Sequence, residues 1–146
     1  MGTVLIRLME CTDVESVSRM EEETFSMPWS RDAFLKMIQK EDARYYVAER
    51  DGCVIGGCGV LMVAGEGNIT NVVVEKSERN QGIGTKMLQY LIEDGIRNGL
   101  EAFTLEVRVS NVAAIHVYEK LGFHSEGIRP GFYEKPKEDA MIMWKR

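Results

Sequence analysis

Cysteines are few in this sequence, and long hydrophobic runs are missing. Cys11, Cys53 and Cys58 are an odd number of cysteines in a chain large enough to fold without disulfide bonds. They indicate buried thiols in a reducing compartment. Nowhere do roughly eighteen apolar residues occur together, and Arg7 interrupts the short apolar run near the N-terminus. We therefore expect a cytoplasmic protein that has no export signal and no membrane partner.

The common nucleotide and metal motifs are missing too. The glycine turn near residue 82 lacks both the third glycine of a dinucleotide fingerprint and the Lys-Ser/Thr pair of a P-loop. His116 and His124 have no serine or cysteine partner at a recognised spacing. The sequence therefore predicts no nucleophilic triad and no metal site.

Charge and length limit the remaining possibilities. The chain has 18 basic and 23 acidic residues, and its net charge of -5 argues against general affinity for nucleic acid or anionic membranes. A basic partner suits this charge better. With 146 residues and 45% hydrophobic composition, the chain is predicted to form a single domain, residues 1–146.

Several local patterns predict the secondary structure. Thr12-x-x-Glu15 is a capping-box pattern before a helix, and Ser30 and Asn111 are placed to cap two further helices. Asp51-Gly52 predicts a tight hairpin, and Gly99 predicts the end of a helix. Strands are predicted over residues 3–8, 45–50, 53–63, 68–74, 102–107, 123–129 and 139–144. This order predicts an α/β protein with a mixed sheet and helices on its faces, and a polar connection over residues 130–136.

The stretch from Arg79 to Thr85 follows a valine-rich strand and opens an amphipathic helix. Gly82 and Gly84 remove side chains that would keep an anion from the backbone. The free N–H groups and positive dipole at a helix N-terminus favour a phosphate there. The sequence thus predicts a phosphate-bearing ligand, although a polar turn with two permissive glycines fits the same pattern.

Other side chains each allow a functional and a structural interpretation. Glu106, near the end of a predicted strand, could act as a general base or face solvent. Tyr118 lies on an apolar helix stripe, which is typical of a core residue. Trp29 could anchor packing or contact substrate. The acidic run Glu21–Glu23 suits a solvated helix face or a site for a cationic substrate.

Taken together, these motifs resemble the GNAT superfamily of acetyl-CoA-dependent N-acetyltransferases. The resemblance rests on Arg79-x-x-Gly82-x-Gly84 and on the block from Leu105-Glu106-Val107-Arg108 to Leu121-Gly122-Phe123, which includes Asn111 and Tyr118. The Pro28-Trp29-Ser30 segment and the segment 138–143 bring the likeness closer to the ribosomal-protein-alanine N-acetyltransferases, the RimI type. This resemblance spans nearly the whole chain and implies a mixed, mostly antiparallel central sheet.

The resemblance also implies roles for individual residues. It makes Glu106 the general base and Tyr118 the general acid. Tyr133, between the last two predicted strands, is a candidate acceptor contact by its position, or else a tyrosine packed on its own strand, and Trp29 is the other candidate acceptor contact. Acetyl-CoA, the cosubstrate, would contact Val72, Val73, Val74, Arg79, Asn80, Gln81, Gly82, Ile83, Gly84, Thr85, Asn111 and Tyr118. Asn80 replaces the basic residue that is commoner beside the glycine turn.

The implied acceptor is a protein N-terminal α-amine, and the resemblance suggests the N-terminal alanine of a basic ribosomal protein. Two alternatives remain at this stage. One is a small-molecule N-acetyltransferase that acts on a polyamine, amino acid or aminoglycoside. The other is a non-catalytic acyl-CoA-binding sensor.

Overall fold

The structure, a computed structural model, describes residues 2–146, and these form one seven-stranded sheet flanked by helices. None of the helices in this range is long and apolar enough to cross a membrane. In chain order the elements are β1 (Leu5–Leu8), α1 (Val14–Thr24), α2 (Arg31–Gln39), β2 (Ala43–Arg50), β3 (Cys53–Val63), β4 (Glu66–Val74), α3 (Ile83–Arg97), β5 (Ala102–Arg108), α4 (Val112–Lys120), β6 (His124–Glu134) and β7 (Lys137–Lys145).

The sheet is mixed and mostly antiparallel, as expected. Its strand order is β1-β2-β3-β4-β5-β7-β6, and β4 and β5 are its parallel neighbours. Alternation along β2 sends Tyr45 and Val47 into a core with α1 and α2, and Tyr46 and Ala48 into a second core with α3 on the opposite face. Helices therefore cover both faces of the sheet.

Local signals account for much of this architecture. Asp51 and Gly52 take positive φ values of 52° and 79° in the β2–β3 turn, which confirms the hairpin. The Ser30 hydroxyl accepts a hydrogen bond from the Ala33 N–H at 3.2 Å and caps α2. Gly99, with φ 93°, follows the end of α3.

The prediction that Thr12 caps the first helix is wrong. A 3₁₀ turn, Cys11–Asp13, comes first, and α1 begins at Val14. The Asp13 carboxylate accepts a hydrogen bond from the Glu10 N–H at 2.8 Å and pairs with the Arg7 guanidinium at 2.7 Å. This ion pair lets Asp13 fix the turn instead of Thr12, since charged hydrogen bonds are stronger than neutral ones.

The polar connection predicted over residues 130–136 is also wrong, because β6 continues to Glu134. Arg129 pairs with Ala140 and Tyr133 pairs with Glu138, so β6 accommodates extra residues as a bulge. Within the bulge Gly131 has φ 62°, and its N–H donates to Asp139 Oδ1 at 2.9 Å. Tyr133 therefore sits on a strand, where its position is fixed by pairing with β7.

Candidate active site

The glycine turn leaves the start of α3 without a side-chain cap. Gly82 precedes the helix with φ 78°, and the first helical hydrogen bond runs from the Lys86 N–H to the Gly82 carbonyl at 3.0 Å. The N–H groups of Ile83, Gly84 and Thr85 therefore have no acceptor inside the helix. A Cβ at Gly82 would meet nothing within 4 Å, and one at Gly84 would meet only Val74, at 3.9 Å. The turn thus presents bare donors and open space at the positive end of a 15-residue helix.

The side chains of this turn have different roles. The Arg79 guanidinium donates to the Val74 carbonyl at 3.0 Å and to Thr24 Oγ1 at 3.4 Å. Asn80 is exposed and has φ 64°. Ile83 is buried in the core beneath α3, so only its backbone N–H can face a ligand.

An arginine outside the turn holds it in place. Arg50, the last residue of β2, donates to the Glu78 carboxylate and to Gln81 Oε1 at 3.4 Å. Sequence reasoning missed Arg50, because its partners lie on a segment far along the chain. Its position next to Asp51-Gly52 was the only local signal.

The sheet opens beside this turn. β4 pairs with β5 only from Glu66 to Asn68, although β4 stays paired with β3 up to Val74. β5 likewise stays paired with β7 as far as Arg108. β4 and β5 therefore separate after Asn68, and the backbone of Val72 to Val74 borders the resulting cleft with no partner from β5.

Glu106 lies on the β5 side of this cleft, on the sheet face that carries α1 and α2. It is half-buried, whereas its neighbours Leu105 and Val107 point into the opposite core. Its carboxylate lies 3.5 Å from the Asn68 amide nitrogen, a long contact that leaves the oxygens free for another donor. Glu106 is therefore placed where it can accept a proton.

Tyr118 comes from α4 and is 8% exposed. Its ring packs edge-on against Phe123 at a centroid distance of 6.0 Å. Burial raises the pKa of the phenol, and the neighbouring Cys58 and Tyr133 side chains raise it further. The hydroxyl therefore stays protonated at neutral pH and can donate a proton.

Tyr133 connects these two side chains. Burial raises its pKa, while the Arg108 guanidinium, 4.2 Å from the centre of its ring, opposes that shift. The charge of Glu106 also acts on the pKa of Tyr133, and Tyr133 in turn acts on that of Tyr118. Tyr133 thus lies within electrostatic range of Glu106 and of Tyr118, whereas Glu106 and Tyr118 belong to opposite faces of the sheet.

Trp29 and Asn111 are placed less directly. Trp29 is half-buried, and its ring packs on Phe34 at 5.6 Å. The Asn111 side chain accepts a hydrogen bond from the Ala114 N–H at 3.2 Å, so it caps α4. Both residues therefore have structural roles, whatever else they contact.

Two surface cavities lie near other predicted site residues, and neither is lined by Glu106 or Tyr118. One, of about 390 Å³, is lined by Arg79, Thr24 and neighbouring residues of α1. The other, of about 340 Å³, lies between Trp29 and α2. The cleft is an open gap between separating strands, so neither of these cavity volumes describes it.

Sequence reasoning also missed the position of Glu21. Glu22 and Glu23 are exposed, as a solvated face requires, but Glu21 is 2% exposed. Its carboxylate accepts hydrogen bonds from the Asn71 side chain at 2.7 Å and the Trp29 N–H at 3.4 Å. The spacing along the helix could have predicted this burial, because Glu21 follows the buried residues Val14 and Val17 at helical intervals.

Comparison with known proteins is consistent with this geometry. Residues 14–123 match the model of the acetyltransferase (GNAT) family. The [ribosomal protein bS18]-alanine N-acetyltransferase of Escherichia coli (strain K12) is 32% identical, over 94% of this chain and 94% of its own. A Bacillus subtilis (strain 168) protein that carries the same name provisionally is 34% identical, over 95% and 93% of the two chains.

A solved structure gives the same result. The crystal structure of the ribosomal-protein-S18-alanine N-acetyltransferase from Escherichia coli superposes with a TM-score of 0.89 at 31% identity, covering 98% of this chain and 93% of that one. Enzymes of this family use acetyl-CoA as the acetyl donor. The chain therefore belongs to the GNAT family of acetyltransferases.

Proposed function

We propose that this enzyme acetylates the α-amine of a protein N-terminus, and that its acceptor is the N-terminal alanine of ribosomal protein bS18. The observation that carries the proposal is the gap between β4 and β5, with Glu106 on its β5 side and Tyr133 within electrostatic range of both Glu106 and Tyr118. A base, an acid and an aromatic side chain next to an unpaired strand edge suit acyl transfer to an extended peptide.

The chain offers a suitable place for acetyl-CoA, which supplies the activated acetyl thioester. The free N–H groups of Ile83, Gly84 and Thr85 would bind the pyrophosphate, with Arg79, Asn80, Gln81 and Gly82 around it. The backbone of Val72, Val73 and Val74, which has no partner on β5, would bind the pantetheine arm, with Asn111 as a further contact. The open space at both glycines supports this fit, because a phosphate group needs the room that a side chain would fill.

Glu106 and Tyr118 would divide the proton transfers. An α-amine has a pKa of about 8, so it is mostly protonated at neutral pH. Glu106, directly or through a water molecule, would take one proton and free the nucleophile. Tyr118 would protonate the departing thiolate, and a backbone N–H of Val72 to Val74 would stabilise the oxyanion.

The assignment of the acceptor draws on the relatives and on the surface around the cleft. Relatives at 32% to 34% identity carry the name bS18-alanine N-acetyltransferase. A site for a small polycation would be expected to gather free carboxylates. Here Glu23 is exposed and pairs with Arg19 at 3.2 Å, whereas the buried Glu21 accepts from Asn71. Trp29 and Tyr133 would flank the entering peptide, and the net charge of -5 suits a basic substrate in the cytoplasm.

Thiol release from acetyl-CoA tests the proposal. The purified enzyme is offered, at equal concentrations, the N-terminal hexapeptide of bS18, the same peptide already acetylated at its N-terminus, spermidine, lysine and an aminoglycoside. We expect rapid release only with the free peptide, and a mass increase of one acetyl group at its terminus. Faster acetylation of a small amine would overturn the proposed acceptor. No thiol release with any amine, despite acetyl-CoA binding, would favour a sensor.

A further inference from the structure

Glu21 is a buried carboxylate that no cation within residues 2–146 neutralises. Within residues 2–146, Asp13 and Glu21 are the buried carboxylates, and Asp13 pairs with the Arg7 guanidinium at 2.7 Å. Glu21 receives only neutral donors, and its Oε2 atom has no hydrogen-bond partner. Burying an unpaired charge costs stability. An apolar side chain would suit this position on α1 better if packing were its only task.

The two donors to Glu21 come from separate parts of the site. Asn71 belongs to β4, and its side-chain amide donates to Glu21 Oε1 at 2.7 Å. Trp29 belongs to the segment between α1 and α2, and its backbone N–H reaches the same oxygen at 3.4 Å. One carboxylate oxygen therefore links β4, which borders the cleft, to the segment between α1 and α2. We call this segment, residues 25–30, the acceptor segment, because it carries the proposed acceptor contact Trp29.

Asn71 lies in a bulge of β4. Gly59 pairs with Thr70 and Gly57 pairs with Val73, so β4 has one more residue than β3 between these pairs. Asn71 adopts φ 54°, a left-handed conformation that asparagine tolerates better than most residues. The bulge redirects the backbone just before Val72 to Val74, and it lies beyond the last residue pair between β4 and β5.

The surroundings of the bulge are unusual as well. The Tyr45 hydroxyl is buried without a hydrogen-bond partner, and a Cβ at Gly57 would lie 2.4 Å from it. Thr70 Oγ1 is likewise buried and unpaired. The bond from Asn71 to Glu21 adds a polar link between this part of β4 and α1, beside the apolar packing of Val73 in the core with α1 and α2.

We propose that Glu21 is a positioning residue for acetyl transfer: by accepting hydrogen bonds from Asn71 and the Trp29 N–H, it holds the β4 bulge and the acceptor segment at a fixed separation. This inference rests on the proposed function, because it assumes that the acceptor passes beside Trp29 and that the Val72 to Val74 backbone faces the acetyl group. Glu21 itself touches neither reactant. Its effect is on the alignment of amine and thioester, which a small displacement disturbs.

Three variants separate positioning from packing. Glu21→Ala removes the acceptor oxygen. Asn71→Gly removes the donor but still allows the left-handed φ, so the bulge can form. Glu21→Gln keeps a carbonyl oxygen that can accept both hydrogen bonds, and it serves as the conservative control.

We expect Glu21→Ala and Asn71→Gly each to lower kcat about 10- to 100-fold, with the KM for acetyl-CoA within about twofold of the parent. Glu21→Gln should retain most of kcat. The Glu21→Ala, Asn71→Gly double variant should be no slower than Glu21→Ala alone, since Glu21→Ala already removes the bond from Asn71 as well as the bond from the Trp29 N–H. Hydrogen exchange, measured by mass spectrometry on the free enzyme, should accelerate over residues 70–74 in the two slow variants and remain normal in Glu21→Gln.

Different failures have different meanings. A lower melting temperature with unchanged kcat in folded Glu21→Ala would make the residue merely structural and overturn the proposal. A Glu21→Gln enzyme as slow as Glu21→Ala would also overturn it. In that case kcat would depend on the negative charge of Glu21 and not on the hydrogen bonds that its oxygen accepts. If the parent prefers spermidine to the peptide, the proposed acceptor fails, and the same variants are compared with spermidine. If the parent acetylates nothing, unchanged exchange over residues 70–74 in both variants overturns the inference.

Discussion

Replacing Gly84 with alanine should stabilise the free enzyme. Gly84 is the second residue of α3, and a Cβ there would meet only the Val74 side chain, at an ordinary contact distance of 3.9 Å. Glycine inside a helix costs about 0.5–1 kcal/mol relative to alanine. In a domain of this size, that gain corresponds to a rise in melting temperature of roughly 1–4 °C.

The same methyl group should weaken acetyl-CoA binding. Helical Cα–Cβ bonds tilt toward the N-terminus, so the methyl would stand beside the free N–H groups of the first turn. A hydrogen bond to a charged group contributes about 1.5–3 kcal/mol. Loss of one such bond to phosphate would raise Kd about 10- to 150-fold.

Thermal melts without ligand and calorimetric titration with acetyl-CoA measure the two effects. Gly65→Ala is the control, because a Cβ at Gly65 would meet nothing within 4 Å and Gly65, with φ 81°, lies in the β3–β4 turn away from the start of α3. Its left-handed backbone should cost alanine about 1–2 kcal/mol, so this variant melts earlier but binds acetyl-CoA normally. Unchanged affinity in a stabilised Gly84→Ala enzyme would refute the phosphate site.

Four further substitutions test other parts of the site. Tyr118→Phe should lower kcat ~10²- to 10⁴-fold with little change in acetyl-CoA affinity, because only the hydroxyl is lost; turnover within about twofold of the parent would make it a core residue only. Glu106→Gln should recover activity at high pH, where the amine is already neutral, so a pH–rate profile shaped like the parent's would contradict its role as base. Tyr133→Ala should raise KM for the peptide and leave acetyl-CoA binding alone, which steady-state kinetics measures. Burial raises the pKa of Glu21 above its ordinary value of 4.5, so this carboxyl supports the fold below that pH and loses its contribution as pH rises through the raised value. Denaturant unfolding should therefore find Glu21→Gln more stable than the parent at pH 7, with a difference that shrinks toward pH 4.

Features fixed by a few neighbouring residues were predictable from the sequence. Asp51-Gly52 specifies its own turn, Ser30 caps the helix that follows it, and Gly82 precedes a free helix N-terminus. Each of these depends on the backbone preferences of one or two residues. Such predictions fail where a contact with another segment outweighs the local preference. At Thr12, the ion pair between Arg7 and Asp13 stabilises a different start for the helix.

The parts of the site that depend on contacts between distant segments are harder to predict from the sequence. Spacing predicts the correct face of β5 for Glu106, but the electrostatic effect of Glu106 on Tyr133 follows only from the course of β6, far along the chain. Tyr133 was assigned to a loop because Pro130 and Gly131 suggested one, whereas a strand can absorb both residues in a bulge. Glu21 was counted with its exposed acidic neighbours, although it continues a buried stripe.

The brief pairing of β4 with β5 has a mechanical consequence. The sheet has two parts, β1 to β4 and β5 to β7. They pair with each other only from Glu66 to Asn68 of β4. A molecule lying in the gap would contact both parts of the sheet. It would add backbone contacts where β4 and β5 do not pair with each other. A ligand that binds only the folded state at 100 times its Kd stabilises it by about 2.7 kcal/mol. In the proposed binding mode the pantetheine arm would bridge β4 and β5 beyond Asn68, and the sheet would lose these contacts each time coenzyme A leaves.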